Sequence, residues 1–114
     1  FSDAPYMTPA LFRACGVDDV SDIVISNSTA LPASQKRLET GSLNPHRYGR
    51  QLVALAEEMI AEHAEVGALV AEYTEFPTFA WAVQNAVGRP VFDCSTLTRW
   101  VHDAVVRHPF PGYI

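Results

Sequence analysis

The chain predicts an α/β fold, with a parallel sheet carrying helices on both faces, in a single lobe spanning residues 1–114. Three observations predict it. Short apolar runs alternate with amphipathic segments of helical period. Proline and glycine punctuate the helix starts and stops. The apolar runs end in polar turns that lead directly into helices, which calls for right-handed crossovers and a parallel sheet.

The first helix starts at Thr8-Pro9, where Thr8 supplies a cap and Pro9 fits the first helical position, and it stops at Gly16. Asp22 to Ser26 reads as a short buried strand. Asn27 to Gly41 is polar and irregular, with a helical turn around Gln35 to Leu38; a connection of that length is often functional. Asn44-Pro45 opens the longest helix. Its apolar stripe is Leu52, Leu55, Ala56, Met59, Ile60 and His63, with Glu57, Glu58 and Glu62 on a solvated face. Gly67 to Glu72 is the second strand, Pro77 to Val87 a helix ended by Gly88, and Pro90 to Asp93 the third strand. Ser95 or Asp93 caps a last helix bearing Leu97, Trp100, Val101, Ala104 and Val105; the tail from His108 to Ile114 cannot continue it. Three strands are few for a doubly wound sheet. Phe1-Ser2-Asp3-Ala4-Pro5 resembles the loop after a strand, so the lobe is expected to be incomplete at its N-terminus.

Composition narrows the function. A net charge of −5 argues against a nucleic-acid partner, which needs a basic face. No apolar run reaches the ~18 residues of a membrane span, and the first residues show no signal peptide. Cys15 and Cys94 are expected to be reduced structural thiols, buried as small hydrophobes, in a cytoplasmic setting. His46, His63, His102 and His108 have no metal-ligand spacing, and there is no phosphate-binding loop.

One stretch carries more than the rest. Gly67-Ala68-Leu69-Val70, Glu72, Thr74, Pro77 and Ala80 resemble the strand, Glu-Cys-Thr turn and proline-led helix of the aspartate/glutamate (hydantoin) racemase superfamily. Gly88-Arg89-Pro90-Val91-Phe92-Asp93 with Thr96-Leu97 is similar to that family's next strand and helix start; Thr8-Pro9-Ala10-Leu11 and Ala14-Cys15-Gly16 are consistent with the start of the same lobe. The resemblance implies the Rossmann-like C-terminal lobe of a two-lobe, cofactor-independent enzyme, with the active site between lobes. It implies a small carboxylate or amino-acid ligand. It also implies a pair of cysteines that remove and return a proton at the α-carbon.

The chain departs from that scheme. Tyr73 stands at the second-lobe cysteine position, and the first lobe lies outside these residues. The two-cysteine mechanism is therefore not supported. A racemase/isomerase-type lobe working through one thiolate, a non-catalytic carboxylate binder and an inactive fragment stay open, with the missing N-terminal lobe or a second copy of the chain as partner. The candidate site lies at the strand ends. Tyr73 is the candidate catalytic residue, although a pKa near 10 opposes its acting as a base at neutral pH. Thr74 and Glu75 at a helix N-terminus suit a carboxylate or cap the Pro77 helix. Asn27, Ser28 and Thr29, with Ser2 and Asp3, would face the same sheet edge, and ordinary turn chemistry is the alternative reading. Asp93 is better assigned to helix capping.

Overall fold

A computed structural model describes residues 1–109 and 112. In chain order the helices and strands are α1 (Pro9–Ala14), α2 (Pro32–Thr40), α3 (Pro45–Glu62), β1 (Leu69–Ala71), α4 (Pro77–Val87), β2 (Val91–Asp93) and α5 (Cys94–Val105), with short 3₁₀ turns at Ala4–Tyr6 and Ser28–Ala30. The chain is thus helix-rich, of α/β type, with a small parallel sheet.

β1 and β2 pair in parallel, Leu69 opposite Val91, Val70 opposite Phe92 and Ala71 opposite Asp93. Two further extended segments continue the hydrogen-bonding beyond β1. The Phe1 amine donates to the Val70 carbonyl at 2.8 Å and the Glu72 amide to the Phe1 carbonyl at 3.2 Å. Ser2 in turn bridges Asn27 in parallel, through Ser2 N–H to Ser26 O and Ser28 N–H to Ser2 O, each 3.1 Å. Across the molecule the order is therefore Asn27, Ser2, β1, β2, all parallel. The chain moves to one side of its first extended segment, then crosses to the other.

One face of this arrangement is packed. Leu52, Ala56 and Met59 of α3, Val83 of α4, Leu69 and Ala71 of β1, Val91 of β2, and Phe1 and Phe76 form one buried cluster. The apolar stripe of α3 faces it as the period requires. Its glutamates Glu57, Glu58 and Glu62 are exposed. α3 and α4 approach closely at Gly49, where a Cβ would lie 2.9 Å from the Phe79 ring; the neighbouring Tyr48 meets that ring edge-on, centroids 5.3 Å apart.

The opposite face differs from expectation. Val70 and Phe92, paired across the ladder, are 67% and 53% exposed, because strand side chains alternate and α3 and α4 cover only the other side. α5 buries no residue; Leu97 and Trp100 flank an apolar groove against Val70 and Phe92. On this face a helix is present but does not pack down, so the expected covering of both faces is only partial among the described residues.

Sequence boundaries hold closely where proline and glycine set them. α4 matches Pro77 to Val87, with Gly88 left-handed at φ 63°. α1 is capped by Thr8, whose Oγ1 accepts from the Leu11 amide, and Asn44 caps α3 by accepting from Arg47. Two expectations fail in the first half. Asp22 to Ser26 forms no strand, and Ile23 and Ile25 are exposed, since one side of that segment has no partner. Asn27 to Gly41 is not irregular: α2 occupies Pro32–Thr40, bracketed by Pro32 at its first turn and by left-handed Gly41. The cysteines are free, as expected, but both are exposed rather than buried. Cys15 follows α1 and Cys94 opens α5, and neither helix buries a residue. Of the tail, Phe110, Pro111, Tyr113 and Ile114 lie outside the described residues.

α5 is fixed at its start by Asp93. The Asp93 carboxylate accepts from the Thr96 amide and the Thr96 hydroxyl accepts from the Asp93 amide, both at 2.8 Å, a reciprocal capping box. Asp93→Ala should lower stability by about 0.5–2 kcal/mol in urea denaturation, with helicity lost by circular dichroism. An unchanged midpoint would refute the cap's role.

Candidate functional site at the strand ends

The C-terminal ends of the parallel segments meet where the strand order reverses, between Ser2 and β1. In open α/β sheets that crevice is where ligands bind. The structure brings together Ser2, Asn27, Ser28, Tyr73, Thr74 and Glu75, along with Asp3 and Thr29.

Each is placed by local chemistry. Ser2 is buried, and its hydroxyl donates to Glu72 Oε2 at 3.1 Å. Ser28 is also buried; its hydroxyl lies 3.4 Å from the Ser2 carbonyl, so it closes the strand end from within. Asn27 Oδ1 accepts from the Thr29 amide at 3.2 Å and makes an Asx turn. The Thr29 hydroxyl lies 2.7 Å from that oxygen and 3.0 Å from Asp3 Oδ1. Ser2, Asn27 and Ser28 therefore hold the framework, as ordinary turn chemistry would have them.

Phe76 precedes α4 in helical conformation without a side-chain cap, so Thr74 and Glu75 do not cap that helix. The Thr74 hydroxyl instead donates to Glu75 Oε2 at 3.3 Å. The backbone amides of Thr74 and Glu75 make no hydrogen bond to any described residue. They stand free at a helix N-terminus, where partial positive charge collects.

Arg37 and Tyr48 were missed in the sequence. Arg37 of α2 forms an ion pair with Glu75. α2 is held against the strand end by Ser34 Oγ donating to the Ser28 carbonyl at 2.9 Å, by Gln35 Nε2 donating to the Thr29 carbonyl at 2.7 Å, and by the Ala33 amide donating to Gln51 Oε1 of α3 at 2.9 Å. Those contacts carry Arg37 to the site. The signal that could have found it was the same Pro-start, Gly-stop pattern read correctly elsewhere, at Pro32 and Gly41.

Electrostatics decide what Tyr73 can do. Its phenol is raised by burial, and further by the carboxylates of Asp3, Glu75 and Glu72, with Arg37 opposing. The phenol is therefore protonated at neutral pH, which leaves it no capacity to act as a base there. Burial likewise raises Tyr48, which also feels Glu75, Tyr73 and Arg37 and so borders the same cluster. The cluster sets three carboxylates, Asp3, Glu72 and Glu75, against one guanidinium, Arg37, which is paired with Glu75, and leaves the Thr74 and Glu75 amides unpaired beside them. Among the described residues no group of His, Cys, Asp or Glu is arranged to hold a metal ion, and no helix is long and apolar enough to cross a membrane.

Comparison with known proteins gives a consistent set of relatives. The chain is 35% identical over 100 residues to dimethylsulfoniopropionate lyase 6 and to dimethylsulfoniopropionate lyase 3 of Emiliania huxleyi (strain CCMP1516), covering 79% of this chain and 25% of each relative. It is 32% identical over 100 residues to dimethylsulfoniopropionate lyase 7 of the same organism, covering 79% of this chain and 28% of that protein. The chain thus spans about a quarter of the length of these curated relatives. No protein-family model matches, and no solved structure matches.

These relatives are named lyases, not racemases. That overturns the racemase assignment, the racemase/isomerase-type enzyme and the reading as a racemase-like lobe. The physical reason lies in what the resemblance rested on. A strand leading through a polar turn into a proline-started helix presents free amides to a carboxylate, and that geometry does not specify what happens to the carbon beside it.

Proposed function

We propose that residues 1–114 form one substrate-facing part of a dimethylsulfoniopropionate lyase-type protein. The observation that carries the reading is a site of two opposite characters, matched to a zwitterion. Dimethylsulfoniopropionate has a carboxylate at one end and a sulfonium cation at the other. The carboxylate suits the Thr74 and Glu75 amides and the Arg37 guanidinium. The sulfonium suits the Tyr73 ring face, with Asp3 and Glu72 nearby. The relatives' names agree with that ligand.

Lysis of such a substrate is an elimination. A base takes the proton α to the carboxylate, the C–H electrons form the carbon–carbon double bond, and the C–S electron pair leaves with sulfur. The products are acrylate, dimethyl sulfide and a proton on the base. A phenol held protonated does not supply that base, so Tyr73 serves through its ring face, beside the sulfonium. The proton acceptor is another group.

Two measurements test this. Heteronuclear NMR titration of the chain with dimethylsulfoniopropionate should shift both the Tyr73 ring and the Thr74 and Glu75 amides. Propionate should shift the amides alone, and trimethylsulfonium the ring alone. Absence of shifts at these residues with all three ligands would refute the site. For the reaction, the complete natural polypeptide carrying this sequence should release dimethyl sulfide into the headspace; none released refutes the lyase reading.

A further inference from the structure

A cavity of about 770 Å³ lies not at the strand ends but at their opposite, N-terminal side. One wall is residues 21–25 and the other residues 65–70, with Phe1 and Ser2 closing one end and Met59 and Phe12 among its other lining residues. Its interior is mainly apolar, with Ile23, Val24 and Ile25 facing Val66, Ala68 and Leu69.

We propose that this cleft is a strand acceptor, taking an extended apolar segment that runs parallel to both walls and continues into Phe1-Ser2. The argument is one of hydrogen-bond register. Phe1 and Ser2 already lie between the two walls, bonded to Val70 and Glu72 on one side and to Ser26 and Ser28 on the other. In a parallel strand, the N–H and C=O of one residue point to the same side and alternate along the chain. Since Glu72 N–H, Val70 O, Ser26 O and Ser28 N–H all point toward Phe1-Ser2, Ala68 and Val24 point into the cleft. The amides of Val24, Ser26 and Ala68 make no hydrogen bond to any described residue. Two facing rows of unpaired backbone groups, one strand's width apart at the Phe1-Ser2 end, are a template for a strand between them.

Other features agree. Ile23 and Ile25 are 37% and 40% exposed although apolar, and the segment bearing them forms no strand. The occupant is polypeptide joined upstream of Phe1, because only a segment continuous with Phe1-Ser2 keeps register with both walls at once. Relatives roughly four times as long as the matched region have polypeptide to supply it.

The test joins about five residues, the usual strand length, directly to Phe1. One version is apolar and β-branched (Val-Thr-Val-Ile-Val); the control is Gly-Ser-Gly-Ser-Gly. Hydrogen exchange and thermal melting are read on both and on the chain itself. The apolar extension should slow exchange at Val24, Ser26 and Ala68 by about tenfold or more and raise Tm, while the control changes neither. Equal effects of the two extensions, or no added protection from the apolar one, overturn the proposal. A concentration-dependent dimer of the unextended chain that already protects those amides also overturns it, giving the cleft to a second copy.

Discussion

Phe76→Ala should destabilise the chain by about 3–5 kcal/mol, the cost of emptying a large aromatic site in a packed core. Phe76 is fully buried and stacks on Phe1, ring centroids 5.4 Å apart at 29°. It also follows Tyr73, Thr74 and Glu75 directly, and its amide donates to the Tyr73 carbonyl at 3.1 Å. One side chain therefore anchors α4, the first extended segment and the site turn together. Small domains have only about 5–15 kcal/mol of net stability, so the alanine variant should be largely unfolded or close to it. Phe76→Leu keeps the apolar character and most of the volume. It should fold, lose about 1–2 kcal/mol in urea denaturation, and show disturbed Thr74 and Glu75 amide resonances. A variant as stable as the parent, with those resonances unmoved, would show that Phe76 supports neither core nor site.

Arg37→Gln should weaken binding of dimethylsulfoniopropionate by tenfold to roughly a hundredfold in titration calorimetry, the worth of a charge-assisted hydrogen bond of about 1.5–3 kcal/mol. Stability should change by less than about 1 kcal/mol, because the Arg37–Glu75 pair is half-exposed and solvent screens it. Arg37→Lys keeps the charge but not the planar fork and should restore only part of the affinity. Trimethylsulfonium, which lacks a carboxylate, should bind no worse to Arg37→Gln than to the parent. Equal loss for both ligands would mean that Arg37 acts only through the placement of α2.

How much of this was legible follows from what each element depends on. α4 was read to the residue, because Pro77 and Gly88 act through their own backbone limits and need no tertiary partner. α3 was read from its stripe, whose period survives in any context. The same logic at Pro32 and Gly41 marked α2, but its polar surface offers little apolar periodicity and the signal was passed over. Arg37 was lost with it. The segment 22–26 looked like a buried strand because its side chains are those of one; burial depends on neighbours, and one neighbour's place is the open cleft. Cys15 and Cys94 were misjudged for the same cause. The reaction was misread because the turn after β1 specifies free amides before a helix and not the bond that breaks.

By itself the sequence determined the α/β class, the parallel pairing of the two late strands, and the turn where Tyr73, Thr74 and Glu75 lie. These follow from local backbone preference and from a period set by each segment alone. Only the tertiary structure decided that Arg37 reaches Glu75, that burial and carboxylates from two separate segments raise the Tyr73 phenol further, and that one sheet face and one strand position stand open. Charge and burial are properties of distance between residues far apart in the chain, and no local pattern encodes them.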